Sequence, residues 1–308
     1  MLDVRRMRVL REVANRGSIA AAAQALSFTP SAVSQQLATL EREAGVALVE
    51  RGPRSVRLTE AGHALVRHAD EVLALLRTAE ADIQEIAGLR RGTVRVASFP
   101  TAYATLMPGA IAAFRGRHPG VGLLLTEADA GSALARLKAG ELDLALVYEY
   151  DFVPLATDDA VELVHLLDDP VNAVVPRSHP AARRPTVRLR DLAGDAWITS
   201  TARSSCHAFV RRACKAAGFE PTVTMESDDH GVWQGLVAAG VGVALASELS
   251  LPVLHPDVVV KRIAPKPLKR RIFVAHRVGA RRSPGVAAMF EVLTEAVAAY
   301  DGRLAESA

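Results

Sequence analysis

The chain of 308 residues contains no apolar run of the roughly 18 uncharged residues that a membrane span requires. Its opening, Met1-Leu2-Asp3-Val4-Arg5-Arg6, is not followed by the apolar stretch of a secretory signal. These absences predict a cytoplasmic protein without a membrane partner. Cysteine is scarce: Cys206 and Cys214 stand eight apart on an expected helix, a spacing that is neither a C-x-x-C site nor a disulfide framework. Two readings of them stay open, thiols of no special chemistry and a two-thiol redox sensor, which needs an electropositive, accessible setting. The nine histidines are scattered, with no H-E-x-x-H pair, and neither a P-loop nor a G-x-S-x-G elbow is present. His118, His179 and His255 each precede a proline, a turn context. No acid–base or metal constellation emerges, so the sequence predicts a non-enzyme with no cofactor and no metal. A chain of this length is too long for a single small core and predicts two or three compact units.

Lysine is missing from residues 1–58, yet nine arginines face five acids there, a net of +4 against +3 for the whole chain. Positive charge is therefore concentrated at the N-terminal end, as phosphate contact requires. The same stretch carries a helix–turn–helix pattern. Ser18 can cap a helix over Ile19–Leu26, whose Ala20-Ala21-Ala22-Ala23 run has high helix propensity, and Ser27-Phe28 breaks it. Thr29 stands where a cap belongs and Pro30 at the first helical position, where its missing N–H costs nothing. The second helix, roughly Pro30–Glu43, puts Val33, Leu37, Leu40 and Ala44 on one stripe and Ser31, Gln35, Ala38 and Arg42 on another. A stripe of small and hydrogen-bonding side chains suits a helix laid in the major groove of DNA. Gly45 ends the helix, and Leu48–Leu58 reads as a short hairpin bearing Arg51, Arg54 and Arg57. The pattern is an all-α winged helix-turn-helix over residues 1–58. Its expected DNA-contacting residues are Thr29, Pro30, Ser31, Ser34, Gln35, Arg51, Arg54 and Arg57.

The run Val4–Leu10, Gly17-Ser18-Ile19, Ala22-Ala23, Leu26, Pro30-Ser31-Ala32-Val33-Ser34, Leu40-Glu41, Leu48, Arg51 and Leu58-Thr59-Glu60-Ala61-Gly62 resembles the N-terminal signature of the LysR-type bacterial transcriptional regulators. Length, the helix that follows and the α/β remainder match as well, so the resemblance covers essentially the whole chain. It departs at Ile19, where many members carry a large aromatic residue, and at Gln35, where arginine is also frequent. Both departures bear on the operator sequence rather than on the family.

After the wing, Thr59 can cap a helix that nothing breaks before Gly88. Leu65, Ala69, Val72, Leu76, Ala79, Ile83 and Ile86 recur at alternating spacings of four and three, the seam of a coiled coil. Residues 59–88 thus form an expected dimerisation linker, with Leu65, Val72, Leu76 and Ile83 as its main contacts. A helix packed on its own domain is the alternative, since the small Ala69 and Ala79 weaken the seam. Pairing would present two readers to a palindromic site. The family resemblance implies the same role for this helix and suggests tetramers, with RNA polymerase as a further candidate partner.

Leu89-Arg90-Arg91-Gly92 reads as a hinge, and residues 89–308 alternate strands and helices. That order implies parallel strands joined by right-handed crossovers. The resemblance implies two periplasmic-binding-protein-like lobes: lobe I over about 93–163 and 269–300, lobe II over about 164–268. A small-molecule pocket is expected between them, at the carboxyl ends of the strands. Ser98-Phe99-Pro100-Thr101 and Thr199–Ser205 are polar strand-to-helix loops in corresponding places, able to hold an anion such as a carboxylate. Expected effector contacts are Ser98, Thr101, Tyr148, Ser200, Thr201 and Arg203; in the resembling family, residues matching Ser98, Thr101 and Ser200 commonly touch the effector. Asp228-Asp229-His230 flank a third loop, where two acids would repel a carboxylate and favour an amine or a hydroxyl. Gly240-Val241-Gly242 precedes a strand rather than a helix and is no nucleotide loop.

Three functions follow. The leading one is an effector-controlled transcription regulator bound to double-stranded DNA. The others are a solute-binding protein, which the basic wing and absent signal oppose, and a ligand-independent architectural DNA binder, which leaves the α/β part without a purpose.

Overall fold

A computed structural model describes residues 1–52, 56–86, 92–156 and 159–307. The N-terminal part consists of α1 (Val4–Arg16), α2 (Ile19–Leu26), α3 (Pro30–Ala44), the wing strands β1 (Val49–Arg51) and β2 (Val56–Leu58), and the long α4 (Glu60–Ile86). Each of the first three helices begins where the sequence supplies an oxygen to an otherwise unbonded amide. Asp3 accepts from the Arg5 and Arg6 amides, Ser18 from Ala21, and Thr29 from Ala32, with Pro30 as the first helical residue. Gly17 and Gly45 end α1 and α3 in the left-handed region, at φ 68° and 72°. Val33, Leu37 and Leu40 turn inward onto Leu10, Val13, Ala22 and Ala23. The Glu41 carboxylate accepts from the Leu48 and Val49 amides at 2.9 and 3.1 Å, fixing the start of the wing to α3. The wing itself is the expected hairpin, with Val49 opposite Leu58 and Glu50 opposite Arg57.

The apolar stripe of α4 is divided between two environments. Leu65 and Ala69 are buried in the same core as α1, and Val72 packs against it. Further along, Leu76 and Ile83 are 45 % and 67 % exposed, and Leu75 joins them at 70 %. The seven-residue spacing assigned one partner to the whole stripe, but α1 lies against the first turns of α4 and takes them for the monomer's own core.

The remaining elements are β3 (Gly92–Ser98), α5 (Pro100–Thr105), α6 (Met107–Arg117), β4 (Val121–Glu127), α7 (Ala130–Lys138), β5 (Leu144–Tyr150), β6 (Val161–Pro176), β7 (Thr186–Val187), β8 (Ala196–Thr199), α8 (Ser205–Ala216), β9 (Thr222–Glu226), α9 (His230–Ala238), β10 (Ala244–Ser247), β11 (Val258–Ile263), β12 (Leu268–Arg277) and α10 (Pro284–Ser307). Strand β3 runs parallel to β4 and β5, as the alternation implies. Strand β12 is antiparallel to both neighbours, β5 and β6, making the sheet mixed. Strand β6 is long enough to serve two neighbourhoods. It pairs with β12 from Val161 to Val171, and its end from Val171 to Pro176 pairs with β10 and β11. One apolar cluster gathers Val96, Leu106, Phe114, Leu144, Ile272 and Met289; another gathers Val175, Leu192, Trp197, Phe209 and Leu245. Tyr148 packs against both. Gly242 allows β8 and the chain before β10 to meet, since a Cβ there would lie 2.5 Å from the Ala196 carbonyl oxygen.

Candidate DNA-reading surface and effector cleft

On α3, burying Val33, Leu37 and Leu40 leaves the opposite face outward. Ser31, Gln35 and Arg42 are exposed and Ser34 is half-buried, with the capping Thr29 and Pro30 exposed at the helix start. The Thr29 and Ser31 hydroxyls lie 3.0 Å apart. Arg57 is exposed on β2. Arg51 ends β1, and Arg54 lies outside the described residues. The reading face is held from behind: Arg6 of α1 donates to Gln36 at 3.1 Å and pairs with Glu43.

A cleft of about 840 Å³ opens between the two α/β clusters. Thr101, Tyr148, Ser200, Thr201 and Arg203 line it, so most of the expected effector residues meet in one place. Ser98 does not: it is fully buried at the end of β3, its hydroxyl unbonded among the described residues, and is absent from the cleft wall. Ser98 falls on the same face of β3 as the buried Val94 and Val96, whereas Thr101 lies past the strand end on α5. Thr201 donates through its amide and its hydroxyl to Asp228, at 3.1 and 2.8 Å, which joins the third loop to the second. The Tyr148 hydroxyl accepts from Ser205 at 3.3 Å, and burial raises its pKa.

The floor of the cleft holds a residue that sequence reasoning missed. Arg270 of β12 is 3 % exposed; its Nε and Nη2 donate to Asp169 at 2.9 and 2.6 Å, and Nη2 also donates to Thr101 at 3.0 Å. Asp169, on β6 directly across from Arg270, accepts from the Leu249 amide with its other oxygen at 3.1 Å. Phe99, Tyr148 and Tyr150 surround the guanidinium with ring centroids 4.9, 5.1 and 5.9 Å from its carbon. Burial alone would lower the Arg270 pKa, and the facing Tyr150 and Asp169 outweigh it, so the net displacement is upward. Nη1 makes no hydrogen bond among the described residues. The sequence held only a weak signal for this pair: Asp169 follows Asp168 and Arg270 stands in the run Lys269-Arg270-Arg271, charges that read as solvated until β12 pairs with β6.

His230 and Cys206 also line the cleft. Burial, then the charge of Arg270, lowers the His230 pKa and keeps the ring neutral near pH 7. Burial raises the Cys206 thiol, and burial followed by Glu220 pushes Cys214 up to about 12. Both shifts oppose the thiolate that redox sensing requires.

A basic reader on one end and a ligand-sized cleft on the other define a DNA-binding protein with a small-molecule domain. Family comparisons agree across nearly the whole chain. Residues 4–63 match the bacterial regulatory helix-turn-helix protein model of the lysR family, and residues 87–298 match the LysR substrate binding domain. The transcriptional dual regulator GltC of Bacillus subtilis is 32 % identical over 261 residues, covering 84 % of this chain and 85 % of that protein. The probable HTH-type transcriptional regulator LrrA of Synechococcus elongatus is 28 % identical over 295 residues, covering 96 % and 97 %. Among solved structures, a full-length single-residue variant of OxyR from Pseudomonas aeruginosa aligns with a TM-score of 0.69 at 21 % identity over 96 % of this chain and 98 % of that one. CbnR complexed with its target DNA aligns at 0.61 and 24 % identity over 96 % and 100 %. The chain belongs to the LysR family of transcriptional regulators, with an N-terminal DNA-binding helix-turn-helix and an α/β effector-binding domain. Among the described residues no helix is long and apolar enough to cross a membrane.

Proposed function

We propose that this regulator reads a palindromic DNA site with Ser31, Ser34 and Gln35 of α3, while Thr29 and Pro30 set the helix start and the wing arginines Arg51, Arg54 and Arg57 hold phosphates. The outward stripe Ser31–Gln35–Arg42, backed by buried Val33, Leu37 and Leu40, supports this orientation. Two chains pair through the exposed part of α4, where Leu76 and Ile83 stand with Leu75; a neighbour there removes apolar surface that the monomer leaves in water. A mobility-shift assay on sites selected from random DNA tests the reading face. Gln35→Ala is expected to lose about 1–3 kcal/mol of discrimination between selected and scrambled sites. Arg57→Ala is expected to weaken both equally and to lower the salt slope by about 1. Unchanged discrimination in Gln35→Ala would overturn the orientation of α3.

The small molecule in the cleft is an anion, in this reading a carboxylate, bound by Thr101, Tyr148, Ser200, Thr201 and Arg203 over the floor formed by Arg270. Arg270 carries this assignment: a fixed guanidinium with one nitrogen left to a ligand, packed among aromatic rings. The rim is acidic at Glu127, Asp129 and Asp228, which selects against ligands carrying several negative charges. Thermal-shift measurements across small mono- and dicarboxylates should find one that raises the unfolding midpoint. Thr101→Val should weaken it about tenfold by removing a hydroxyl that orients Arg270. If no carboxylate shifts the midpoint, the effector is of another class.

A further inference from the structure

Helix α7 touches the cleft with one end and the DNA-binding half with the other. At its start, Asp129 caps the helix by accepting from the Ser132 amide at 3.0 Å, and residues 129–132 all line the cleft. Between the ends, Ala133, Leu134 and Leu137 are buried against Ala97, Ala145 and Val147, so the helix is held along its length. At its finish, carbonyls of the last turn accept from arginines of other elements. Arg77 of α4 donates to the Ala139 carbonyl, and Arg277 of β12 donates to that of Leu137 at 3.3 Å. Two guanidinium groups at the negative end of a helix are a favourable match. Gly140 makes room for them: it has φ +66°, and a Cβ there would lie 2.4 Å from Arg277 Nη1 and 2.7 Å from Arg77 Nη2.

The next residue reaches the reader itself. Glu141 lies 3.7 Å from Arg11 of α1, which also faces Asp70 of α4 at 4.0 Å. Arg11 is 6 % exposed. Its Nε and Nη1, the Asp70 Oδ1 and the Arg77 Nε are all buried without a hydrogen bond among the described residues. Such groups are normally satisfied, so a rearrangement of this junction can gain hydrogen bonds. The electrostatics agree, since burial, together with Arg11, Arg277 and Arg95, lowers the Arg77 pKa to about 10.

We propose that α7 is the strut that couples the cleft to the DNA-binding half, with Arg77, Arg11 and Glu141 as a releasable latch at its far end. The proposal rests on the cleft being the effector site. A ligand that draws the start of α7 into the cleft moves the Ala139 carbonyl with it, because a helix transmits displacement along its axis. Arg77 then loses its acceptor and α4 is freed from the effector domain. Ligand control requires that the two arrangements differ in affinity for the ligand, and contact at Asp129–Ser132 supplies that difference.

Hydrogen-exchange mass spectrometry on the full chain tests the coupling without any effector, so its outcome is independent of which ligand binds. Asp129→Ala removes the cap at the cleft end of α7. Amides of α4 around Arg77 are then expected to exchange about fivefold faster in the otherwise unchanged chain. In an Arg77→Met background, which sets its own baseline, Asp129→Ala should add nothing. Asp129→Ser, which keeps a capping oxygen, should leave α4 as it was. No response in α4, or the same response with Arg77 removed, overturns the strut. So does an equal rise in α8, which lies off the path and would report general opening.

Discussion

Asp169→Ala should destabilise the effector-binding domain by about 3–5 kcal/mol, read as a lower midpoint in urea unfolding followed by near-ultraviolet circular dichroism. The variant leaves the Arg270 guanidinium buried beneath Phe99, Tyr148 and Tyr150 with its countercharge gone. It also strips the Leu249 amide of the oxygen it donates to. The guanidinium cannot relieve the cost by losing its proton, since arginine stays charged in proteins. The double variant Asp169→Leu, Arg270→Met fills the space with apolar atoms and should recover most of the loss. The two variants separate stability from recognition: the double variant folds but lacks the anion anchor, so any carboxylate that stabilises the parent protein should leave it unshifted. A single-variant loss below about 0.5 kcal/mol, the range of an ordinary surface change, would mean that water reaches the pair and that the cleft floor is not dry.

Gly62→Ala should abolish operator binding while leaving the effector-binding domain folded. Gly62 sits in the first turn of α4 against the wing, and a Cβ on it would lie 2.1 Å from the Leu48 carbonyl oxygen. That oxygen accepts from the Thr59 amide at 3.0 Å, and the Thr59 hydroxyl in turn accepts from the Gly62 amide at 3.0 Å, so the nearest obstacle is backbone held by hydrogen bonds, with Leu58 Cβ at 3.3 Å beside it. The closest atom is a backbone carbonyl rather than the far end of a flexible side chain. The wing must move away from α4, at about 1–3 kcal/mol or more for overpacking, and Arg57 moves with it. A mobility shift should show loss of binding to selected and scrambled DNA alike, with the midpoint of the effector-binding domain unchanged. Retention of full affinity would show that the wing can shift freely without disturbing phosphate contact. The Thr59-Glu60-Ala61-Gly62 part of the family resemblance acquires a physical reason here: the capping threonine starts the helix, and the glycine lets it start beside a carbonyl.

The reader was legible almost residue by residue because its signals are local. Ser18, Thr29, Pro30 and Gly45 mark boundaries through chemistry with atoms three or four residues away, and the Val33–Leu37–Leu40 stripe fixes which face turns inward. The cleft was only partly legible, for a corresponding reason. Thr101, Ser200 and Thr201 follow strands and announce themselves as helix-starting loops. Arg270 and Asp169 are 101 positions apart and meet only because β12 returns beside β6. Spacing could not reveal that return, nor the first half of β6, nor β11, whose partners are equally remote in sequence. On α4 the limit was different. The heptad spacing is present, but periodicity reports that a stripe is apolar without saying what covers it, and α1 covers the first part.

The divided stripe of α4 has a geometrical meaning. Leu65 and Ala69 lock the helix rotationally into the reader's core, and Leu76 and Ile83 project from the same unbroken rod. In the proposed pairing, the azimuth at which a neighbouring chain meets the rod is therefore dictated inside each monomer. One residue inserted between Ala69 and Leu76 would swing the outward face by about 100° around the helix axis. Each monomer would stay folded, while the two readers would be presented to the DNA out of phase with its turns.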